Sequence, residues 1–451
     1  MLKKNEIYQT EITGMTAEGN GVCRVDGMAV FVPMTAVGDQ LKIKIVKVLK
    51  NYAFGIIHEL VTSGAGRVTP DCPVFRQCGG CVFRHVDYPT ELNYKSGFVQ
   101  DAFSRIGKLY PEWESILGSQ ETSCYRNKAQ YPVAMQDGKL VCGFYAKHSH
   151  RVIPYTGCTL HPEIFQKILD YLLPVLQKAH VSAYEEQSHT GELRHIYLRK
   201  GYHSGEIMLC FVTRVSIRKK LNFLSALQKQ FPEIISICES VNPAKTNVIM
   251  GKTVEVLAGQ NFITDTMCEN QIKISPQSFY QVNTAQAERL YAIAKQYADF
   301  QGNEILLDLY CGAGTIGLSM ASSVKKLIGV EIIPQAIENA RENAKRNQVT
   351  NAEFYCGDAG MIVQKLAEQN LHPDIVVLDP PRKGCDSMTI QSVVNMQPNK
   401  IIMISCNPTT CARDSAIFAE NNYITKKVKA VDLFPSTAHV ECVVLMSRQN
   451  P

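Results

Sequence analysis

From about residue 265 the chain alternates apolar runs with helical patterns, and this alternation restricts its fold more than any other feature. ILLDLYCGAG (305–314) is a buried strand running into a glycine turn. LIGVEI (327–332) is a second strand, followed by a helical pattern through IENARENAKRNQ (337–348). IVVLDPPRKG (375–384) and IIMISCNP (401–408) are further buried strands. Strands that alternate with helices build a mostly parallel, doubly wound sheet, and such sheets bind ligands at the carboxyl ends of their strands.

At 451 residues the chain exceeds one ordinary domain. The expected class is α/β: a Rossmann-like domain over 266–451, preceded by an OB-like β-barrel over 1–60 and a mixed α+β domain over 61–265. In the first segment LKIKIVKVLK sets Leu41, Ile43 and Ile45 against Lys42 and Lys44, the period-two pattern of a half-buried strand. The alternation slips at Val46, which predicts a bulge. Together with the glycine turns before it, this strand suggests a five-stranded barrel. Lys42, Lys44, Lys47 and Lys50 then have two readings of equal weight: contacts to nucleic-acid phosphates, or lysines guarding an edge strand. The middle segment carries a linker at Gly64, Gly66 and Pro70, a helix through NYKSGFVQDAFSRIG (93–107), and strands at HIYLRKG (195–201) and EIMLCFVTR (206–214).

A hydrophobic content of 45% and a charged content of 20% are those of a globular protein, and the net charge of +5 is compatible with a nucleic-acid partner without requiring one. The N-terminal MLKKNEIYQTE lacks the apolar region of a secretory signal, and no apolar run reaches the ~18 residues of a membrane helix. Sixteen cysteines, several of them single in apolar segments (Cys210, Cys238, Cys268), suit a reducing cytoplasm and no membrane.

Gly312, Gly314 and Gly317 keep the G-x-G-x-x-G spacing, and Glu331 ends the next strand where a carboxylate can accept from ribose hydroxyls. An NAD(P)-dependent oxidoreductase fits this pair as a nucleotide does in general. Asp308, in a D-x-x-C-G-x-G pattern, and Asp358 after the third strand favour S-adenosylmethionine. Asp379-Pro380-Pro381-Arg382 ends the fourth strand. Amine methyltransferases place an aromatic residue where Arg382 stands, so amine methylation is disfavoured. Ser405-Cys406-Asn407-Pro408 puts a thiol at a strand's carboxyl end, on the ligand side. Uracil carbon 5 is a poor nucleophile until something adds to carbon 6, and a soft thiolate makes that addition well. A base must then remove the carbon 5 proton, for which Glu441 is the candidate and His439 a structural neighbour.

The order SPQSFYQVN, DLYCGAG, GVE, LDPPR, SCNP and HVE resembles the RNA uridine-5-methyltransferase family across about 265–451. The resemblance implies Cys406 as nucleophile and Glu441 as base. It also implies Gln281, Tyr310, Thr315, Glu331, Asp358 and Asp379 around the S-adenosylmethionine and the target uracil. DNA cytosine-5 methyltransferases share the chemistry but carry a Pro-Cys turn where this chain has LDPPR.

Cys72, Cys78 and Cys81 form a second constellation, spaced by six and then three positions, with Cys158 in YTGCTLHP as a fourth thiol. Spacing alone leaves zinc open beside an iron–sulfur centre. The whole arrangement looks like the uridine-5-methyltransferase subfamily with an N-terminal TRAM barrel and a [4Fe-4S] cluster. That resemblance implies Cys72, Cys78, Cys81 and Cys158 as cluster ligands and 23S ribosomal RNA as substrate, with transfer RNA as the alternative and an inactive RNA-binding assembly factor as a remoter one. Arg126, Lys128, Lys147 and Arg151 lie among aromatics such as Phe144 and Tyr145, a mixture suited to RNA or to a plain solvated surface. No obligate protein partner is evident, and a monomer is expected.

Overall fold

The computed structural model describes residues 2–449. The N-terminal sheet has six strands in the order Ile7–Glu11, Gln40–Val48, Tyr52–Thr62, Met28–Pro33, Asn20–Val25 and Gly14–Met15. The count is one above the expected five because Gly14–Met15 pairs with Asn20–Val25, Gly14 opposite Val22. Leu41, Ile43 and Ile45 are fully buried, and the register shifts between Ile45 and Lys47, which places the bulge at Val46. Gln40–Val48 is paired on both sides, by Ile7–Glu11 and Tyr52–Thr62, so Lys42, Lys44 and Lys47 do not guard an edge strand, and Lys42 is engaged with Glu59 at 2.8 Å.

A central seven-stranded sheet runs Val152–Pro154, Lys139–Tyr145, Lys128–Gln136, Leu193–Lys200, Ile207–Thr213, Ile234–Val241 and Glu255–Gly259. The helix Glu163–Lys178 closes one face by burying Phe165, Ile168, Leu169, Leu172 and Leu176, an i, i+3, i+4 stripe.

The C-terminal sheet has eight strands: Ala352–Cys356, Lys326–Glu331, Ile305–Leu309, Ile375–Leu378, Lys400–Ser405, Glu441–Arg448, Tyr423–Val431 and Glu112–Leu117. The first five are mutually parallel, and Glu441–Arg448 runs antiparallel to both its neighbours. Glu112–Leu117 comes from the segment expected to be central. It pairs in parallel with Tyr423–Val431 and so caps what would otherwise be an open edge, with Trp113 and Ile116 against the core. The helix expected over 93–107 spans Tyr88–Asp101, opened by the Asp87 cap on the Thr90 N–H, and passes into a π-helical turn at Ala102–Gly107.

That helix is tied to the C-terminal domain through a buried lysine. Lys95 donates to Glu91 at 2.6 Å, to Asp432 at 2.7 Å and to the Phe434 carbonyl at 3.1 Å. The Ser436 N–H donates to Glu91, and the Tyr125 hydroxyl donates to the Pro435 carbonyl. The loop from Asp432 to His439 is therefore held from several sides before it enters the strand that begins at Glu441. No helix among the described residues is long and apolar enough to cross a membrane.

Candidate active site at the carboxyl edge of the parallel sheet

Strand register brings the chemistry together. Leu378 pairs with Met403 and Ser405 with Cys442, so the next residues along these strands, Asp379, Cys406 and Glu441, meet at one sheet edge. Cys406 is partly exposed while Glu441 is buried. Burial, and then the nearby Glu441, push the Cys406 thiol up to about 11, while the Arg382 guanidinium pulls it down. Burial and Asp379 raise Glu441 to about 8, and burial alone raises Asp379 to about 7. A carboxyl that titrates near neutrality is matched to proton abstraction.

Arg382 is the cation of this group. Its Nη2 donates to Nδ1 of His439 at 2.7 Å, while its backbone carbonyl accepts from the Asn407 side chain beside Cys406. Burial and the charge of Arg382 hold His439 down at about 4, so the ring is neutral. His439, which the sequence offered as structural, thus orients the one guanidinium that favours the Cys406 thiolate. Only the turn position of Arg382 after Asp379 hinted at that role.

The glycine turn lies farther along the same edge. Tyr310 adopts φ 64° at the strand's end, a strained conformation for a residue with a side chain. Asp308 accepts from the Gly317 N–H at 2.9 Å, and a Cβ at Gly317 would stand 2.7 Å from that carboxylate, so only glycine fits there. Glu331 accepts from the Gly312 and Ile333 N–H groups, which aims its carboxylate across the turn while leaving lone pairs for hydroxyls. Asp358 caps the helix Ala359–Glu368 through the Met361 N–H, so its first duty is structural. Ile332 and Ile333, which follow Glu331, and Met361, three residues after Asp358, are exposed apolar side chains, and the exposed Met388 lies against Gly360. Exposed apolar side chains near a carboxylate and a glycine turn are surfaces on which an adenosine could pack.

Thr315 opens the helix Thr315–Met320, and its hydroxyl lies 3.5 Å from that of Tyr291. Tyr291 also feels Gln281 and Asp379, so Gln281, Thr315 and Asp379 converge on one buried phenol. Sequence offered no signal for Tyr291, which has the spacing of an ordinary core residue in Thr284–Ala298. Tyr310 stands apart from this group, its hydroxyl donating to Thr389.

Cys72, Cys78, Cys81 and Cys158 line one cavity of about 380 Å³, together with His439 and Phe434 from the clamped loop. Burial and mutual repulsion lift Cys81 to about 12, and burial lifts Cys158 to about 11. Among the described residues no group of three or more His, Cys, Asp or Glu is arranged to hold a metal ion, so the four thiols share a cavity rather than a formed metal site. Cys142 is buried and Cys124 exposed, and neither lines that cavity.

Comparison with known proteins gives this geometry its context. Residues 88–449 match the family model for tRNA (uracil-5-)-methyltransferases, and residues 2–57 match that for the TRAM domain. The chain is 42% identical over 445 residues to a protein of Oceanobacillus iheyensis named as an RNA methyltransferase, covering 98% of this chain and 96% of that one. A likewise named protein of Halalkalibacterium halodurans is 40% identical over 451 residues, covering 100% and 98%. Among solved structures, the tRNA (uracil-54, C5)-methyltransferase of Pyrococcus abyssi in complex with S-adenosyl-L-homocysteine superposes with a TM-score of 0.78 at 26% identity, covering 97% of this chain and 99% of that one.

Proposed function

The chain belongs to the tRNA (uracil-5-)-methyltransferase family, as an S-adenosylmethionine-dependent RNA (uracil-5-)-methyltransferase with a TRAM domain, and we propose that it acts through a covalent adduct on Cys406. The observation that carries this reading is the register that sets Cys406 beside Glu441 at the same edge as the glycine turn. The Cys406 thiolate adds to carbon 6 of a flipped-out uridine, and the ring electrons pass to carbon 5. Carbon 5 takes the methyl group from the sulfonium of S-adenosylmethionine, which leaves as S-adenosylhomocysteine. Glu441 then removes the carbon 5 proton, and the electron pair returns to expel the thiolate from carbon 6. Gln281, Tyr310, Thr315, Glu331, Asp358 and Asp379 are the proposed contacts to donor and uracil.

Incubation of RNA with S-adenosylmethionine labelled in its methyl group tests the reading. Label in 5-methyluridine is expected for the wild type and none for Cys406→Ala; an active Cys406→Ala variant removes the nucleophile.

For substrate we propose 23S ribosomal RNA, on the resemblance of the barrel and the cysteine quartet. Transfer RNA is the second reading, favoured by the likeness to the P. abyssi protein, which is named a tRNA (uracil-54, C5)-methyltransferase. Mapping 5-methyluridine in both RNA classes from cells lacking this protein separates them. Cys72, Cys78, Cys81 and Cys158 would hold a [4Fe-4S] cluster, the chemistry of four half-buried thiols lining one cavity being that of a thiophilic group. Bound, it would staple the cysteine loop to the central sheet. Brown, iron-containing protein after anaerobic purification is the expected result, and colourless zinc protein the contrary one. Sixteen unbridged cysteines suit a cytoplasmic enzyme, which we propose acts as a monomer.

A further inference from the structure

Lys128 and Arg199 sit directly opposite each other on adjacent antiparallel strands of the central sheet. Directly paired residues point to the same face, and like charges in that position destabilise a sheet. Arg126, two residues before Lys128 and just ahead of the strand, lines with it the cavity that opens toward His439. Burial first, and then the repulsive charges of Arg199 and Arg126, push Lys128 down to about 8. Arg199 is 1% exposed. Its Nη1 donates to the Ser278 carbonyl, while Nε and Nη2 find no acceptor among the described residues. No carboxylate pairs with any of the three among those residues. A buried, incompletely bonded guanidinium beside two more cations is costly to keep unless an anion joins it.

The location narrows the anion. Asn127, between Arg126 and Lys128, donates its side-chain N–H to the Gln281 carbonyl and to the Thr284 hydroxyl. The cation-bearing strand is thereby fixed to the SPQSFYQVN segment at the candidate active site. We propose that Arg126, Lys128 and Arg199 form a subsite for a backbone phosphate of the RNA substrate, Arg126 and Lys128 touching it and Arg199 adding its field from beneath. The proposal rests on the RNA methyltransferase reading and names where that substrate's backbone is held near the target base. The remaining titratable groups on the cavity are Cys72, Cys78, Cys81, Cys158, Tyr155, His161 and His439; none supplies a carboxylate.

The test is equilibrium binding of a fluorescein-labelled RNA stem-loop to the full chain over a range of KCl concentrations. Each phosphate neutralised contributes about 0.7–0.9 to the slope of log K against log salt. Lys128→Gln is expected to flatten that slope by about 0.7–0.9 and to weaken binding about tenfold at 0.1 M salt. Lys128→Arg is expected to keep the slope, and Arg126→Gln to flatten it as Lys128→Gln does. In the absence of RNA, Lys128→Gln is expected to melt no lower than wild type, since it relieves repulsion; a markedly lower melting temperature would make Lys128 a structural residue and overturn the proposal. An unchanged salt slope overturns it too. Loss of S-adenosylmethionine affinity with the slope intact would assign the cations to the donor's carboxylate, and loss of iron with the slope intact would assign them to an anionic cluster; either result ends the phosphate reading. Methyl transfer by the wild type is scored separately, so an intact transfer with an unchanged slope sinks the subsite alone.

Discussion

Arg382 donates to His439 across 2.7 Å, joining the turn after one strand to the loop that leads into Glu441. A guanidinium only donates, so Nδ1 of His439 accepts and the ring is neutral. The pair aims the one cation that pulls Cys406 toward its thiolate.

Removing that cation should make the nucleophile a poorer acid. In Arg382→Met the Cys406 thiol is expected to rise above its value of about 11, and its alkylation by iodoacetamide at fixed pH to slow by at least about tenfold. His439→Phe is expected to give a smaller slowing, because the guanidinium stays but loses its anchor. If alkylation of Arg382→Met ran at the wild-type rate, Arg382 would have no hold on the sulfur.

Glu441 titrates near 8 because burial and Asp379 oppose its charge. A base must be ionised, so its competent fraction grows as pH rises and levels off above about 8. Where proton abstraction limits turnover, the methylation rate should climb from pH 6.5 to 8.5. Glu441→Gln should instead stall at the methylated adduct, seen as RNA that migrates with protein in a denaturing gel. Clean turnover of Glu441→Gln would point to a different base.

Four buried carboxyls give stability its own pH dependence. Asp308 and Glu441 are raised to about 8, and Asp379 and Glu91 to about 7, all chiefly by burial. A folded-state value above the unfolded one means that the folded protein binds more protons between the two. Stability should therefore fall as pH climbs from about 5 to 8, and flatten beyond. Scanning fluorimetry of the donor-free protein checks this, and Asp379→Asn should make the decline shallower. A melting temperature that rose over this interval would contradict the burial assigned to these groups.

Much of this was legible because it is local. Leu41, Ile43 and Ile45 announce a buried strand face by alternation, Val46 its bulge, and Gly317 a position beside Asp308 with no room for a side chain. Cys406 is visible as a strand-end residue and Glu441 through the HVE motif, although only register shows that they are neighbours. What stayed hidden depends on pairing across long separations. Nothing in EWESIL says that it will cover Tyr423–Val431. Nor does KAQYPVAMQ announce that its Lys128 will face Arg199. His439 looked structural because a lone histidine carries no sign of the arginine it will orient.

The buried lysine tests whether the loop before Glu441 needs its clamp. Lys95 is fully enclosed and satisfies Glu91, Asp432 and the Phe434 carbonyl together. Lys95→Met keeps the volume but leaves two carboxylates facing each other without a cation. Breaking a buried pair in this way costs about 3–5 kcal/mol, because the orphaned charge must be protonated or exposed. Glu91 is already lifted to about 7, so in Lys95→Met it should hold a proton at neutral pH and the deficit should ease as pH falls. Urea unfolding at pH 6 and pH 8 is expected to show the larger loss at pH 8. Activity should fall further than stability explains, since the same loop carries His439 into contact with Arg382. A Lys95→Met enzyme that kept full methyl transfer at a temperature well below its melting point would show that the loop holds its shape without the lysine.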